Sequence, residues 1–251
     1  MTLAPRAVLV HRTTEYEELI ARHGTHGQAA FFLSSRGREI DEVAGRHRRA
    51  QRALADVAAA VPLRWRTARV ERADLDRFLF GPEDVVVVVG QDGLVANAAK
   101  YLSGQPVVGV DTEPGRNPGV LVRHRASDAA KLLPHAAAGA AGADELTMVE
   151  AVTDDGQRLS ALNEIYVGAA GHQTARYRLS SGAAPEGAEA QASSGWWSAP
   201  ARAPPAGWGH CGGRPGAAAR ARRNRTRRAC CGSYGRPGRP PRPAPPWSTA
   251  N

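Results

Sequence analysis

Residues 84–111 read DVVVVVGQDGLVANAAKYLSGQPVVGVD, and this stretch decides the fold. Val85–Val89 is a β-branched run without alternation, bounded by Glu83–Asp84 and by Gly90. That is the pattern of a strand buried on both faces. A turn, a helical stretch Val95–Leu102 and a second apolar run, Val107–Val110, follow it. Strand, helix and strand in alternation imply parallel crossovers and an open α/β sheet.

The same grammar extends toward the N-terminus. Arg6–Arg12 predicts a short buried strand and Thr14–His23 a helix, with Thr13 or Thr14 as its cap. Ala29–Leu33 (AAFFL) is a further strand candidate. Ile40, Val43, His47, Ala50, Leu54, Val57 and Val61 follow at spacings of three and four, an amphipathic helix. Leu63–Val70 suggests a strand and Asp74–Phe80 a short helix. Beyond the central stretch, Ala126–Ala138 reads as a helix that closes a domain of residues 1–140.

After Gly142 the pattern changes. Leu146–Val152, Leu159–Val167 and Ala175–Leu179 are strand-like, joined by Asp154-Asp155-Gly156-Gln157 and by a segment containing Gly171. Asp-Gly and Gly turns between strands predict an antiparallel meander. The expected architecture is an open parallel α/β domain, an incomplete antiparallel β domain over 141–195 and a disordered tail over 196–251.

Charge separates the tail from the rest. The chain has 251 residues, 33 Lys+Arg and 24 Asp+Glu, a formal charge of +9. From Ala183 onward there are 11 Arg and 2 acidic residues, which leaves 22 basic and 22 acidic groups in residues 1–182. The tail also holds all 3 Cys and 11 of the 18 Pro, yet no Val, Ile, Leu, Met or Phe. A segment without aliphatic side chains cannot bury enough apolar surface to offset its ordering entropy, so 183–251 is expected to be irregular.

Other classes fall quickly. The apolar run in MTLAPRAVLVHR is too short for a signal peptide, and no window approaches a membrane span. Cys211, Cys230 and Cys231 give neither a disulfide framework nor a C-x-x-C knuckle. A soluble, cytoplasmic protein is expected, with no membrane partner and no metal-ligand set. His23-x-x-His26 has metal-like spacing but no Cys, Asp or Glu beside it. Arg46, Arg48, Arg49 and Arg52 lie off the apolar stripe of their helix, as a solvated face does. Arg116 and Asn117 fall in a Pro- and Gly-rich loop, which an ordinary turn explains as well as a nucleotide contact.

Gly90-Gln91-Asp92-Gly93 carries the chemistry. It ends the valine strand, and open α/β sheets bind ligands beyond the carboxyl ends of their strands. Glycines there admit a phosphate close to the backbone, and the next helix offers its N-terminal N–H groups. A carboxylate in that position can accept or position a hydroxyl proton. Asp-Gly is also the ordinary way to turn after a strand.

Two motifs in order add a resemblance. The first is VVVVVGQDGLVANAAKYLSGQPVVGVDTEPGRNPGVL; the second is Ala161-Leu162-Asn163-Glu164-Ile165, on the second strand of the β half. Together they resemble the NAD kinases, whose superfamily includes diacylglycerol and sphingosine kinases, over roughly residues 84–195. The resemblance implies phosphoryl transfer from ATP, or polyphosphate, to the 2′-hydroxyl of the adenosine ribose of NAD. Asp92 would be the catalytic residue, Gly90 and Gly93 would line the phosphates, and Asn163 and Glu164 would hold the dinucleotide. A divalent cation such as Mg would screen the polyphosphate charge. It also implies a homo-oligomer where the β domain is complete. Gln91 replaces the family's second Gly, Leu94 a Thr, and Asp111 stands where many members have Asn. The rival expectations are a lipid kinase of the same superfamily and a nucleic-acid-binding protein with an Arg-rich arm.

The resemblance stops at Trp196. Ser193-Ser194-Gly195 matches the family's approach to a Thr/Gly-rich loop, but Trp-Trp-Ser-Ala-Pro-Ala-Arg-Ala-Pro-Pro follows. Back-translated and read from the third base of the Trp196 codon, this segment must encode Val-Val. With free wobble it then admits Gly-Thr-Gly-Thr-Gly. The expectation is a chain out of frame from about Trp196, with its kinase activity impaired.

Overall fold

The computed structural model describes residues 4–116, 119–139, 143–168, 171, 173–181, 184–198 and 219–222. Strand β1 (Arg6–His11) leads through α1 (Glu15–His23), α2 (His26–Ser34) and α3 (Ile40–Ala59) to β2 (Arg66–Glu71). Then come β3 (Asp84–Gly90), α4 (Asp92–Ala99) and β4 (Pro106–Asp111), a 3-10 turn at Ala126–Asp128 and α5 (Ala129–Ala137). The four strands are parallel in the order β2-β1-β3-β4.

Burial follows the pleat. Val85, Val87 and Val89 of β3 pack with Leu9, Val108 and Val110 against Ala53, Leu54 and Val57 of α3 and Leu132 and Leu133 of α5, where Trp65 also rests. Val86 and Val88 point the other way, with Val8, Val10 and Val107, onto Leu94, Val95 and Ala98 of α4. Helices on both faces remove Asp84–Val89 of β3 from solvent, as an unalternating valine run requires. At the strands' starting end, Arg6 donates to both oxygens of the fully buried Asp84 carboxylate at 2.7 and 2.6 Å.

Two expected elements differ. Ala29–Leu33 belongs to helix α2, not to a strand. Five apolar residues carry no period of their own, and the neighbours decide. Gly24, at φ 82°, ends α1, and the Thr25 hydroxyl caps α2 by accepting from the Gln28 N–H. Ala29 and Leu33 then lie one turn apart and meet Leu19, Ile40 and Val43. Asp74–Phe80 is not a helix either. Only the 3-10 turn Arg72–Asp74 forms, with the Glu71 carboxylate accepting from the Ala73 N–H. Phe78 and Phe80 instead stack edge-on, 4.8 Å apart, beside the α4 face.

Among the described residues, the second half adds two strands to the edge of the parallel sheet and otherwise forms two-stranded antiparallel sheets. Strands β5 (Asp144–Thr147) and β6 (Val149–Val152) are separated by the buried Met148. β6 pairs with β7 (Arg158–Ala161) across a turn in which Gly156 takes φ 85°. β8 (Ile165–Gly168) and β9 (Ala175–Ser181) pair with β11 (Gly195–Ser198) and β10 (Ala184–Ser193) respectively. The expected strand Leu159–Val167 is therefore two strands in different sheets. The expected irregular segment beginning at Ala183 is likewise corrected by β10 and β11. β12 (Ala219–Arg222) lies between β4 and β5. The expected disorder of 199–218 and 223–251 lies outside the described residues. Val152, Leu159, Tyr166 and Val167 are about half exposed, whereas Met148, Ala161 and Ile165 are buried.

Candidate functional site

The sheet order reverses direction between β1 and β3, and in such sheets the crevice for a ligand opens where the carboxyl ends of those two strands diverge. The residues there are Thr13 and Thr14 after β1 and Gly90, Gln91 and Asp92 after β3. Thr14 caps α1 through a capping box, its hydroxyl accepting from the Glu17 N–H while the Glu17 carboxylate accepts from the Thr14 N–H at 2.8 Å. The same hydroxyl lies 2.8 Å from Nδ1 of His47 on α3. Glu71, at the end of β2, accepts from the Thr13 N–H at 2.8 Å and from its hydroxyl at 3.2 Å. Burial alone would raise the Glu71 carboxyl, but hydrogen bonds from the Ala73 N–H and from Thr13 outweigh it and hold the pKa below the usual value.

Asp92 is the first residue of α4, three residues earlier than the helix expected from Val95. Gln91, extended at φ −121° and ψ 165°, serves as the cap, and a carboxylate in the first turn complements the positive end of the helix. The Asp92 side chain is engaged with the segment after β4. Oδ2 accepts from the Val120 N–H at 2.7 Å, and Oδ1 accepts from the Leu121 and Val122 N–H groups at 2.9 Å each.

Two glycines make that contact possible. A Cβ on Gly109 would come within 2.9 Å of Val122 Cα, and one on Gly119 within 2.6 Å of Asp92 Oδ1. At Gly90 a Cβ would meet Leu94 Cδ2 at 3.1 Å, whereas the space beside Gly93 is open. Gly90 therefore answers to its own helix, and Gly93 is the glycine with room beside it.

Ion pairs rim this end of the sheet. Arg49 reaches Glu113 at 2.5 Å, Arg46 reaches Glu15 at 2.7 Å, and Arg116 pairs with Glu42. The α3 arginines expected on a plain solvated face thus include two that fasten neighbouring elements, and Arg116 ties its loop to α3. Asn117 lies outside the described residues. Asp111 accepts from the Glu113 N–H at 2.8 Å.

Asn163 and Glu164 are not on a strand as expected, but in the link between β7 and β8, both exposed. Ala161 and Ile165 on either side are buried, and this alternation fixes the link to the core while leaving the two polar residues outward. Leu162 beside them packs with Met148 against Ala99 of α4, so the second motif sits against the helix that begins at Asp92. His23 stacks on Phe32 at 4.3 Å, and His26 Nδ1 lies 3.1 Å from the Tyr16 hydroxyl. Among the described residues no group of three His, Cys, Asp or Glu is placed to hold a metal.

Glu71, Gly109 and Gly119 were missed from the sequence, which offered Thr13 only as an alternative cap. Thr14 was expected only as one of two possible caps, and its Thr-x-x-Glu spacing to Glu17 is the local motif that could have decided between them. Glu71 reaches Thr13 across 58 residues, which no window reveals. Two surface hollows lie elsewhere, about 650 Å³ beside His23 and Phe32 and about 450 Å³ on the β9–β10 hairpin. Neither includes Asp92. Among the described residues no helix is long and apolar enough to cross a membrane. No family model and no curated protein matches the chain.

Proposed function

We propose that this chain is a phosphotransferase of the NAD kinase type, with NAD as the acceptor and ATP, or polyphosphate, as the donor. The observation that carries this reading is the position of Asp92 at the carboxyl end of the central strand, beside Gly90 and the open space at Gly93. The ribose 2′-oxygen forms a bond to the terminal phosphorus of the donor, and the bond from that phosphorus to its bridging oxygen breaks. ADP leaves when ATP is the donor. The hydroxyl proton passes to Asp92 and on to solvent. Asn163 and Glu164, exposed and fixed next to α4, would bind the dinucleotide. A divalent cation held by the donor's phosphates supplies charge neutralisation.

The second half supports a further part of the reading, that the chain is out of frame from about Trp196. β11 crosses this point, with Trp196 and Trp197 opposite Val167 and Tyr166. The shifted frame would place Val-Val on the same strand, and aliphatic residues there suit the half-exposed side chains of β8. Three separate two-stranded sheets are marginal structures on their own. The 251-residue chain is therefore impaired as a kinase.

Two genes are compared in one assay, the present one and one with the frame restored at codon 196. Formation of NADP from NAD and ATP is expected from the restored protein, with little or none from the present one. Phosphorylation of diacylglycerol in place of NAD would transfer the reading to a lipid kinase. Inactivity of the restored protein on both would overturn it, and independent sequencing reads showing an unbroken frame through codon 196 would remove the frame proposal.

A further inference from the structure

We propose that Asp92 divides its labour between its two oxygens: Oδ1 is an anchor for a strap, Gly119–His124, and Oδ2 is the oxygen that takes a ligand hydroxyl, in exchange for the Val120 N–H. The second half of this proposal rests on the kinase reading; the first does not.

A carboxylate offers about four acceptor positions, two on each oxygen. Oδ1 has both of its positions filled, by Leu121 and Val122. Among the described residues Oδ2 has one partner, Val120. The strap is fastened unevenly in the same sense. Its far end is held by main chain, since the Asp111 N–H donates to the His124 carbonyl at 2.8 Å and the His124 N–H to the Gly109 carbonyl at 3.2 Å. Val122 is buried against the α4 face, and the missing side chain of Gly109 lets this part lie close on β4.

The near end has much less. The Val120 side chain is 63% exposed, and its backbone is held by Oδ2 and by Arg123, which donates to the Val120 carbonyl while also pairing with Asp144 at 3.1 Å. Loss of the Val120 N–H from Oδ2 therefore leaves the strap in place on Oδ1 and β4. A hydroxyl donor can replace that N–H like for like, as one donor on one oxygen, with no buried group left unpaired. The strap thus keeps the carboxylate oriented and occupied until an alcohol of the right position arrives.

Amide hydrogen exchange of the 251-residue chain, resolved by NMR, reads the division directly. Asp92→Asn keeps one carbonyl oxygen, best used on Leu121 and Val122, and turns its NH2 toward the Val120 N–H. Exchange at Val120 is expected to rise about tenfold, the loss of one such bond, with Leu121 and Val122 changing by less than about threefold. Asp92→Ala is expected to raise all three. Gly119→Ala, which crowds Oδ1 from the strap side, serves if Asp92→Ala does not fold, and is expected to raise Leu121 and Val122. Equal rises at all three amides in Asp92→Asn, or none in any variant, would overturn the division. Added NAD, bound as followed by calorimetry, is expected to speed exchange at Val120 alone. Bound NAD with Val120 unchanged overturns the exchange at Oδ2. Failure of NAD to bind both this chain and the frame-restored protein counts against the kinase reading, and the Asp92→Asn pattern still decides the anchor.

Discussion

The two halves of this chain use the same kind of local signal to different effect. In the parallel half each strand finds a helix on at least one face and β3 finds one on both, so six consecutive residues of β3 are removed from water. In the second half β6, β7 and β8 have strand-forming sequences too, yet Val152, Leu159, Tyr166 and Val167 stay about half exposed. The difference lies in what comes next along the chain. The parallel half is followed by residues that can cover it, whereas the residues after Ala183 include no Val, Ile, Leu, Met or Phe. Strand propensity is local, but a core needs aliphatic side chains from elsewhere.

Truncating one leucine in each half tests this contrast most strongly. Leu133→Ala, at a fully buried site between α5 and the sheet, should cost about 3 kcal/mol in urea unfolding. Leu159→Ala, half exposed, should stay within about 0.5 kcal/mol. Comparable losses would mean that the two halves fold as one cooperative unit. Next in size is Asp84→Ala. It strips Arg6 of both its carboxylate bonds and the Gly81 N–H of its acceptor, and should cost about 2 kcal/mol, less than for a fully enclosed pair because the Arg6 side chain is 24% exposed. The charge-conserving Asp84→Glu should recover little, since its longer arm does not fit the buried position.

The smallest expected effect concerns acid. Glu71 has its pKa lowered in the folded protein, so the stability it contributes is present above the ordinary carboxylate pKa and is lost as pH falls through the folded one. Glu71→Gln should therefore flatten stability below about pH 4.5, where that ordinary value lies. Asp155, in the β6–β7 turn, is also held low, by the Thr153 hydroxyl first and then by Gln157, but it is fully exposed. Asp155→Asn should leave the acid midpoint of the parallel half where it is, and thermal melts between about pH 3 and about pH 6 compare the two variants.

How much was legible follows from the range of each signal. The valine run and the α3 stripe are complete within one window and form where the sequence places them, and of the two caps the sequence offered, Thr13 or Thr14, the structure uses Thr14. AAFFL carried no period, so its helix was decided by Gly24 and Thr25 on its flank. Asp92 could be picked out by its place after a buried strand. Its three N–H partners could not, because they lie 28 to 30 residues away and depend on the absence of side chains at Gly109 and Gly119. A glycine needed for close approach looks, in sequence, like a glycine in any turn.

The buried ion pair at the opposite end of the sheet has one more consequence. Five identical valines contain no information about register. A slip of two residues along β3 would put valine where valine was for most of the strand, on the correct faces, and cost the aliphatic core little. What such a slip cannot preserve is Asp84 opposite Arg6, or Gly90 level with Asp111 on β4. The first would drag a charge away from its only guanidinium, and the second would shift Asp92 away from the strap by two residues' length. The uniform strand is thus indexed from its ends, and the salt bridge at the bottom of the sheet sets the height at which the carboxylate at the top is delivered.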